Sequence, residues 1–134
     1  MATLRIYDCD GRVLAVDLRH LIDLLAPRSL QATWTASSVE GEELWATGQG
    51  GVQLEGLARN RSPVSGAVLA ELAKSTVQVI WGEFTAVLPP QSVVWVTIRA
   101  IDSTFYEVTT TDEVVLKKVR STYKDVRVAT GPDE

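Results

Sequence analysis

The chain has 134 residues, 46% of them apolar and 22% charged, with a formal net charge of −4 at pH 7 and a pI near 5.0. That length suits one domain with a core that needs neither metal nor cross-link, and the single cysteine, Cys9, excludes an internal disulfide. The acidic balance argues against nucleic acid or an anionic membrane as partner, which clustered Lys and Arg recognise, and no apolar run nears the roughly 20 residues that cross a bilayer.

LRIYD and RVLAVD flank Cys9-Asp10-Gly11. An Asp-Gly pair between apolar runs predicts a type I′ hairpin, because both central positions tolerate positive φ. The opening MATLRIYDCDG lacks a basic segment leading into an apolar signal stretch, and with a lone cysteine this points to a cytoplasmic protein. Asp17 is placed to cap a short helix that buries Leu18, Leu21, Ile22 and Leu25 and stops at Pro27. LQATWTASSVEG and EELWATG read as a second hairpin turning at Glu40-Gly41-Glu42, with Leu30, Ala32, Trp34 and Ala36 alternating inward.

Gly48 to Gly51 reads as a flexible break, and VQLEGLARN after it fits either a strand or a helix. Ser62-Pro63 marks a helix start. The helix runs to about Lys74, burying Val64, Val68, Leu69 and Leu72, with Gly66 weakening its first turn. Strands follow at about 77–88, 92–101 and 105–109. Thr110 and Glu113 have the spacing of a capping box, ahead of a helix whose stripe is Val115, Leu116, Val119 and Tyr123. VRVAT is an edge strand, and 131–134 a flexible tail. The order ββα-ββ-α-βββ-αβ predicts a single α+β domain over 1–130. It is a mainly antiparallel, twisted sheet with the helices on one face.

Few groups demand a reaction. Asp8-Cys9-Asp10-Gly11 lacks the later ligands of a calcium loop, since Arg12, Val13 and Leu14 occupy their places. Cys9 and His20 are too few for structural zinc, and no third group is evident to orient His20 as a base for Cys9. GQGGVQLEG lacks the Lys of a phosphate loop. Lys117, Lys118 and Arg120 fit a solvated helix face. No catalytic residue, metal site or cofactor is assigned.

Glu83, Asp102, Glu107 and Asp112 could pair as acid and base, but their positions have structural readings. Asp102 and Ser103 suit a turn, Asp112 and Glu113 suit a helix N-terminus, and Glu107 faces Arg99 across a hairpin. On the strand alternation, Trp81 shares a face with Val77, Val79 and Glu83, and Trp95 shares one with Thr97, Arg99 and Ile101. The expected partner-binding set is Trp81, Glu83, Trp95, Arg99 and Glu107, the alternative being that the tryptophan faces form a second core layer under the N-terminal hairpin. The function expected is a non-catalytic module that binds a protein or itself, such as a bacterial immunity- or antitoxin-like inhibitor. The alternatives are a carboxylate-based hydrolase or transferase with a divalent cation, and a structural homodimer.

Overall fold

A computed structural model describes residues 1–129, and alternation of buried and open positions sorts them into ten strands and five helices. The expected tail at 131–134 lies outside the described residues. Strand β1 (Ala2–Ile6) enters the main sheet, while β2 (Cys9–Asp10) and β3 (Val13–Leu14) form only a two-rung hairpin. Gly11 takes φ +66 at its turn. Helix α1 (Leu18–Leu24) starts at Asp17, whose Oδ1 accepts the Leu18 N–H at 2.9 Å. His20 reciprocates by accepting the Asp17 N–H on Nδ1 at 2.9 Å, which closes a capping box.

After Pro27 comes a single helical turn, α2 (Arg28–Gln31), then β4 (Thr33–Ser37) and β5 (Trp45–Gly48). The expected hairpin between the last two is not formed. Both strands pair with β7 (Thr76–Val87), β4 along its second half and β5 along its first. A strand of twelve residues is long enough to carry two short neighbours end to end. Between them lie α3 (Gln49–Asn60), a two-residue β6 (Val64–Ser65) on β4, and α4 (Gly66–Lys74). Ser65, not Ser62, caps α4 by accepting the Val68 N–H at 3.2 Å. The later start rotates the buried stripe to Gly66, Leu69, Ala70 and Ala73 and leaves Val68 48% exposed, against expectation.

Gly48 to Gly51 is not a slack connection either. Gly48 turns with φ +89, and Gly50 and Gly51 are buried in the first turn of α3. A Cβ on Gly50 would meet Leu72 O at 2.2 Å, and one on Gly51 would meet Ala46 O at 2.4 Å. The glycines let α3 lie directly against β5 and the end of α4.

Strands β8 (Val94–Ile101) and β9 (Phe105–Thr110), helix α5 (Glu113–Thr122) and β10 (Val126–Val128) complete the order. The sheet runs β10-β1-β9-β8-β7-β4-β6, with β5 also on β7, and its ladders are antiparallel. One core joins β1, β4, β7, β8 and β9 to α1, α3, α4 and α5 on one side of the sheet. Asp112, not Thr110, caps α5 by accepting the Val114 N–H at 2.9 Å. Thr110 is buried, donating to Trp95 O at 2.6 Å and accepting from the Asp112 N–H at 3.0 Å. The stripe Val115, Leu116 and Val119 is buried as expected, with Tyr123 packed against it.

Candidate functional site

In antiparallel strands, residues in register form rows across the sheet, and alternate residues of each strand share a face. The face away from the helices carries three such rows. The first is threonine: Thr3 pairs with Thr109, Thr109 with Thr97, Thr97 with Thr85 and Thr85 with Thr35. The hydroxyls of Thr3 and Thr109 are 2.8 Å apart.

The second row is charged. From β10 to β4 it reads Arg127, Arg5, Glu107, Arg99, Glu83 and Ser37, each in register with the next. Arg5 Nε donates to Glu107 Oε2 at 2.8 Å and Arg99 Nε donates to Glu83 Oε1 at 2.7 Å. Arg99 Nη1 also stands 3.9 Å from Glu107 Oε1, and Ser37 donates to Glu83 Oε2 at 3.3 Å. The expected Arg99–Glu107 pairing is present but is the looser contact; Arg5 is the principal partner of Glu107. The Glu107 hydrogen bond holds the Arg5 guanidinium above its ordinary pKa; burial opposes this, and the Glu107 charge adds to it.

The third row is aromatic. Trp45 is in register with Trp81, and Phe105 with Ile101. Trp81 and Ile101 each lie one step beyond the Gly82–Ala100 pair. Tyr7 follows Ile6, the partner of Tyr106, and its ring centroid is 4.9 Å from that of Phe105. Arg5 lies over Phe105 at 4.9 Å and Arg127 over Tyr7 at 4.0 Å, both within cation–π range. Trp45, at the far end, is 54% exposed.

Strand β7 is bulged on the N-terminal side of Trp81. Trp45 pairs with Trp81 but Ala46 with Val79, and Thr47 pairs with Gln78 but Gly48 with Thr76. Ile80 and Val77 are therefore extra residues. The buried set on β7 becomes Thr76, Val79, Gly82, Phe84 and Ala86. Uninterrupted alternation puts Val79 beside Trp81 and Glu83; the bulge at Ile80 turns it into the core instead.

Of the five residues expected to bind a partner, four come together here: Trp81, Glu83, Arg99 and Glu107. Trp95 does not join them. It is buried, with Nε1 donating to Asp112 Oδ2 at 2.9 Å and Arg28 stacked at 5.2 Å from its ring. Arg28 also bridges to Asp112 Oδ2 at 2.8 Å. Burial opposes ionisation of Asp112. The bonds from Trp95 and Val114 and the Arg28 charge outweigh it, leaving the pKa below the ordinary 3.8. Trp45, Tyr7, Phe105 and Arg5 belong to the face and were not singled out from the sequence; Tyr7 has the parity of Arg5 and Phe105 that of Glu107, whereas Trp45 reaches the face only through the bulged register of β5 on β7.

The carboxylates do not converge in a pocket. Glu83 and Glu107 alternate with arginines along the row, Glu83 half-buried and Glu107 buried and bonded to Arg5, and Asp102 stands in a turn with Ser103, at φ +51 and +58. Among the described residues, no group of three His, Cys, Asp or Glu side chains is placed to hold a metal ion. Cys9 Sγ is exposed and donates to Tyr7 O at 3.0 Å.

A separate buried polar knot ties α1 to the sheet. Asp17 Oδ1 accepts from Leu18 N–H, from Val79 N–H at 3.3 Å and from Tyr106 Oη. Burial, then the Asp17 charge, pushes the Tyr106 phenol well above its ordinary pKa. The knot has a structural role, since it fixes the strand-to-helix corner and the bulged half of β7.

No family model, curated protein or solved structure matches the chain. No helix among the described residues is long and apolar enough to cross a membrane.

Proposed function

We propose that the protein is a non-catalytic binding module that docks a protein partner on the helix-free face of its sheet. The observation that carries this reading is the row Tyr7, Phe105, Ile101, Trp81 and Trp45, bordered by arginines on a face that no helix among the described residues covers. Aromatic residues and Arg dominate interface hot spots, because they bury large rigid surfaces for little lost freedom. The ion pairs beneath are already satisfied within the chain, so a partner need not neutralise them. The acidic balance suits an inhibitor of immunity or antitoxin type that meets a basic enzyme surface.

The test is affinity capture with the wild type, a Tyr7→Ala/Phe105→Ala variant and a Lys117→Ala/Lys118→Ala variant on the helix side. The docking reading expects one partner, bound at least about tenfold more weakly by the aromatic variant and unchanged by the lysine variant. Equal capture by all three, or loss only with the lysine variant, overturns it.

One observation favours self-association as a second reading. The central row reads Arg5, Glu107, Arg99, Glu83, and its reverse reads Glu, Arg, Glu, Arg. A two-fold axis between Glu107 and Arg99 would set each Arg opposite a Glu of a second copy, the self-complementarity of an isologous interface. Light scattering at micromolar concentration separates the readings: a dimer that dissociates on Arg99→Glu supports the second, and a monomer removes it.

A further inference from the structure

Three aromatic side chains are each covered by an arginine of the same chain: Phe105 by Arg5, Trp95 by Arg28 and Tyr7 by Arg127. The Trp45–Trp81 pair has no such cover among the described residues. It borders a cleft of about 480 Å³ whose other walls include Glu42, Glu43, Glu55 and Arg59. A second lobe of about 420 Å³ continues past Glu43, Glu55 and Arg59 towards Arg61. Around the tryptophans, three carboxylates face one guanidinium, and among the described residues none of these four groups is in an ion pair. Glu55 Oε2 is partly engaged, accepting the Ala46 N–H at 3.3 Å; Glu42 and Glu43 are exposed on the loop.

We infer that this cleft receives an arginine side chain from a basic protein partner, stacked on Trp45 and Trp81 and bonded by the carboxylates of Glu42 and Glu43. The inference rests on the docking face proposed above and names the chemistry at its acidic end. A guanidinium stacks on an indole face and donates in a planar fork to a carboxylate, so this wall pairing suits it better than an ammonium. The occupant is a different protein, not a second copy. The arginines that a second copy would present from the same face, Arg5, Arg99 and Arg127, are already held by Glu107, Glu83 and Asp125.

The experiment is an NMR titration of the full chain with a capped peptide containing two arginines, following the four indole N–H signals. Peptides with two lysines and with two glutamates serve as comparisons. The inference expects the Trp45 and Trp81 signals to shift while those of Trp34 and Trp95 stay. Lysine should bind more weakly and glutamate not at all. Trp45→Ala should weaken binding about threefold to thirtyfold. Glu42→Gln/Glu43→Gln should weaken it and flatten its salt dependence. Unmoved Trp34 and Trp95 signals in both variants show that the fold is kept.

Equal binding of the glutamate peptide, equal affinity in both variants, or shifts of Trp45 and Trp81 on simple dilution, which would place a second copy there, each overturn the inference. Partner capture that depends on Tyr7 and Phe105 with no arginine binding sinks the cleft alone. Arginine binding with capture indifferent to Tyr7 and Phe105 sinks the docking face and leaves the cleft.

Discussion

Backbone groups approach Gly66 so closely that its missing Cβ is a structural requirement. A Cβ there would lie 1.9 Å from Ser29 O, and the Gly66 N–H is bonded to Ala32 O at 2.9 Å. Neither contact belongs to a flexible side chain, so the strain cannot be relieved by a rotamer change. Gly66→Ala is expected to destabilise by about 3 kcal/mol or more, whereas Gly56→Ala, whose nearest neighbour is the Arg59 guanidinium at 3.8 Å, should be neutral or stabilising. Urea midpoints at constant slope test both. Tyr106 is the second decisive residue. Its folded pKa lies well above the ordinary value near 10, so its contribution is complete below about pH 10 and is lost as pH rises further, when the unfolded chain ionises and the folded one does not. Tyr106→Phe should destabilise by about 1–2 kcal/mol at neutral pH and make the alkaline loss shallower. Burial and the Asp8 charge push Tyr123 up to about 12. Phenolate absorbance attributable to it, by difference from Tyr123→Phe, should therefore rise only near that pH.

Helix α5 hangs from one carboxylate. Asp112 caps it, accepts from Trp95 and bridges to Arg28 of α2, so a single side chain joins two helices and a strand. Its pKa is lowered from 3.8, hence its contribution is complete above about pH 3.8 and is lost as pH falls through the folded value. Asp112→Asn should flatten the acid limb of the stability curve, and Asp112→Ala should cost about 1–3 kcal/mol, with Trp95 fluorescence shifting in both. The sequence placed this helix and its buried stripe correctly but assigned the cap to Thr110, because Thr-x-x-Glu satisfies the capping-box spacing while Thr110 is taken up by Trp95 O. The same limit applies to β4, β5 and β7. Their strand character was legible in Trp34, Ala36, Trp81 and Phe84, whereas their pairing was not, because a register with extra residues at Ile80 and Val77 depends on which neighbours β7 has. Trp45 opposite Trp81 is a product of that register. The phase of α4 was missed because both Ser62 and Ser65 are acceptable caps, and only the close approach at Gly66 decides between them.

Across the whole molecule, the helices and the sheet divide the work. One face buries the core, and the other carries half-buried threonines, alternating charge and an aromatic row that runs from Arg127 and Arg5 at one end to Glu42 and Glu43 at the other. The α+β class, the antiparallel order and the helices on one face were legible from strand and helix periods. The composition of the open face was legible only in part, since Trp95 has the parity of Arg99 yet is drawn under Arg28 and Asp112. This aromatic row is the proposed seat of a partner. Hydroxyl-radical footprinting of the captured complex tests it most directly, because Tyr7, Phe105, Trp81 and Trp45 all react in the free protein in proportion to their exposure. Binding on this face is expected to protect these four together and to leave Lys117, Lys118 and the outer surface of α5 as reactive as before. Protection confined to the helix side, with Trp45 and Phe105 oxidised at their free rates, would contradict it.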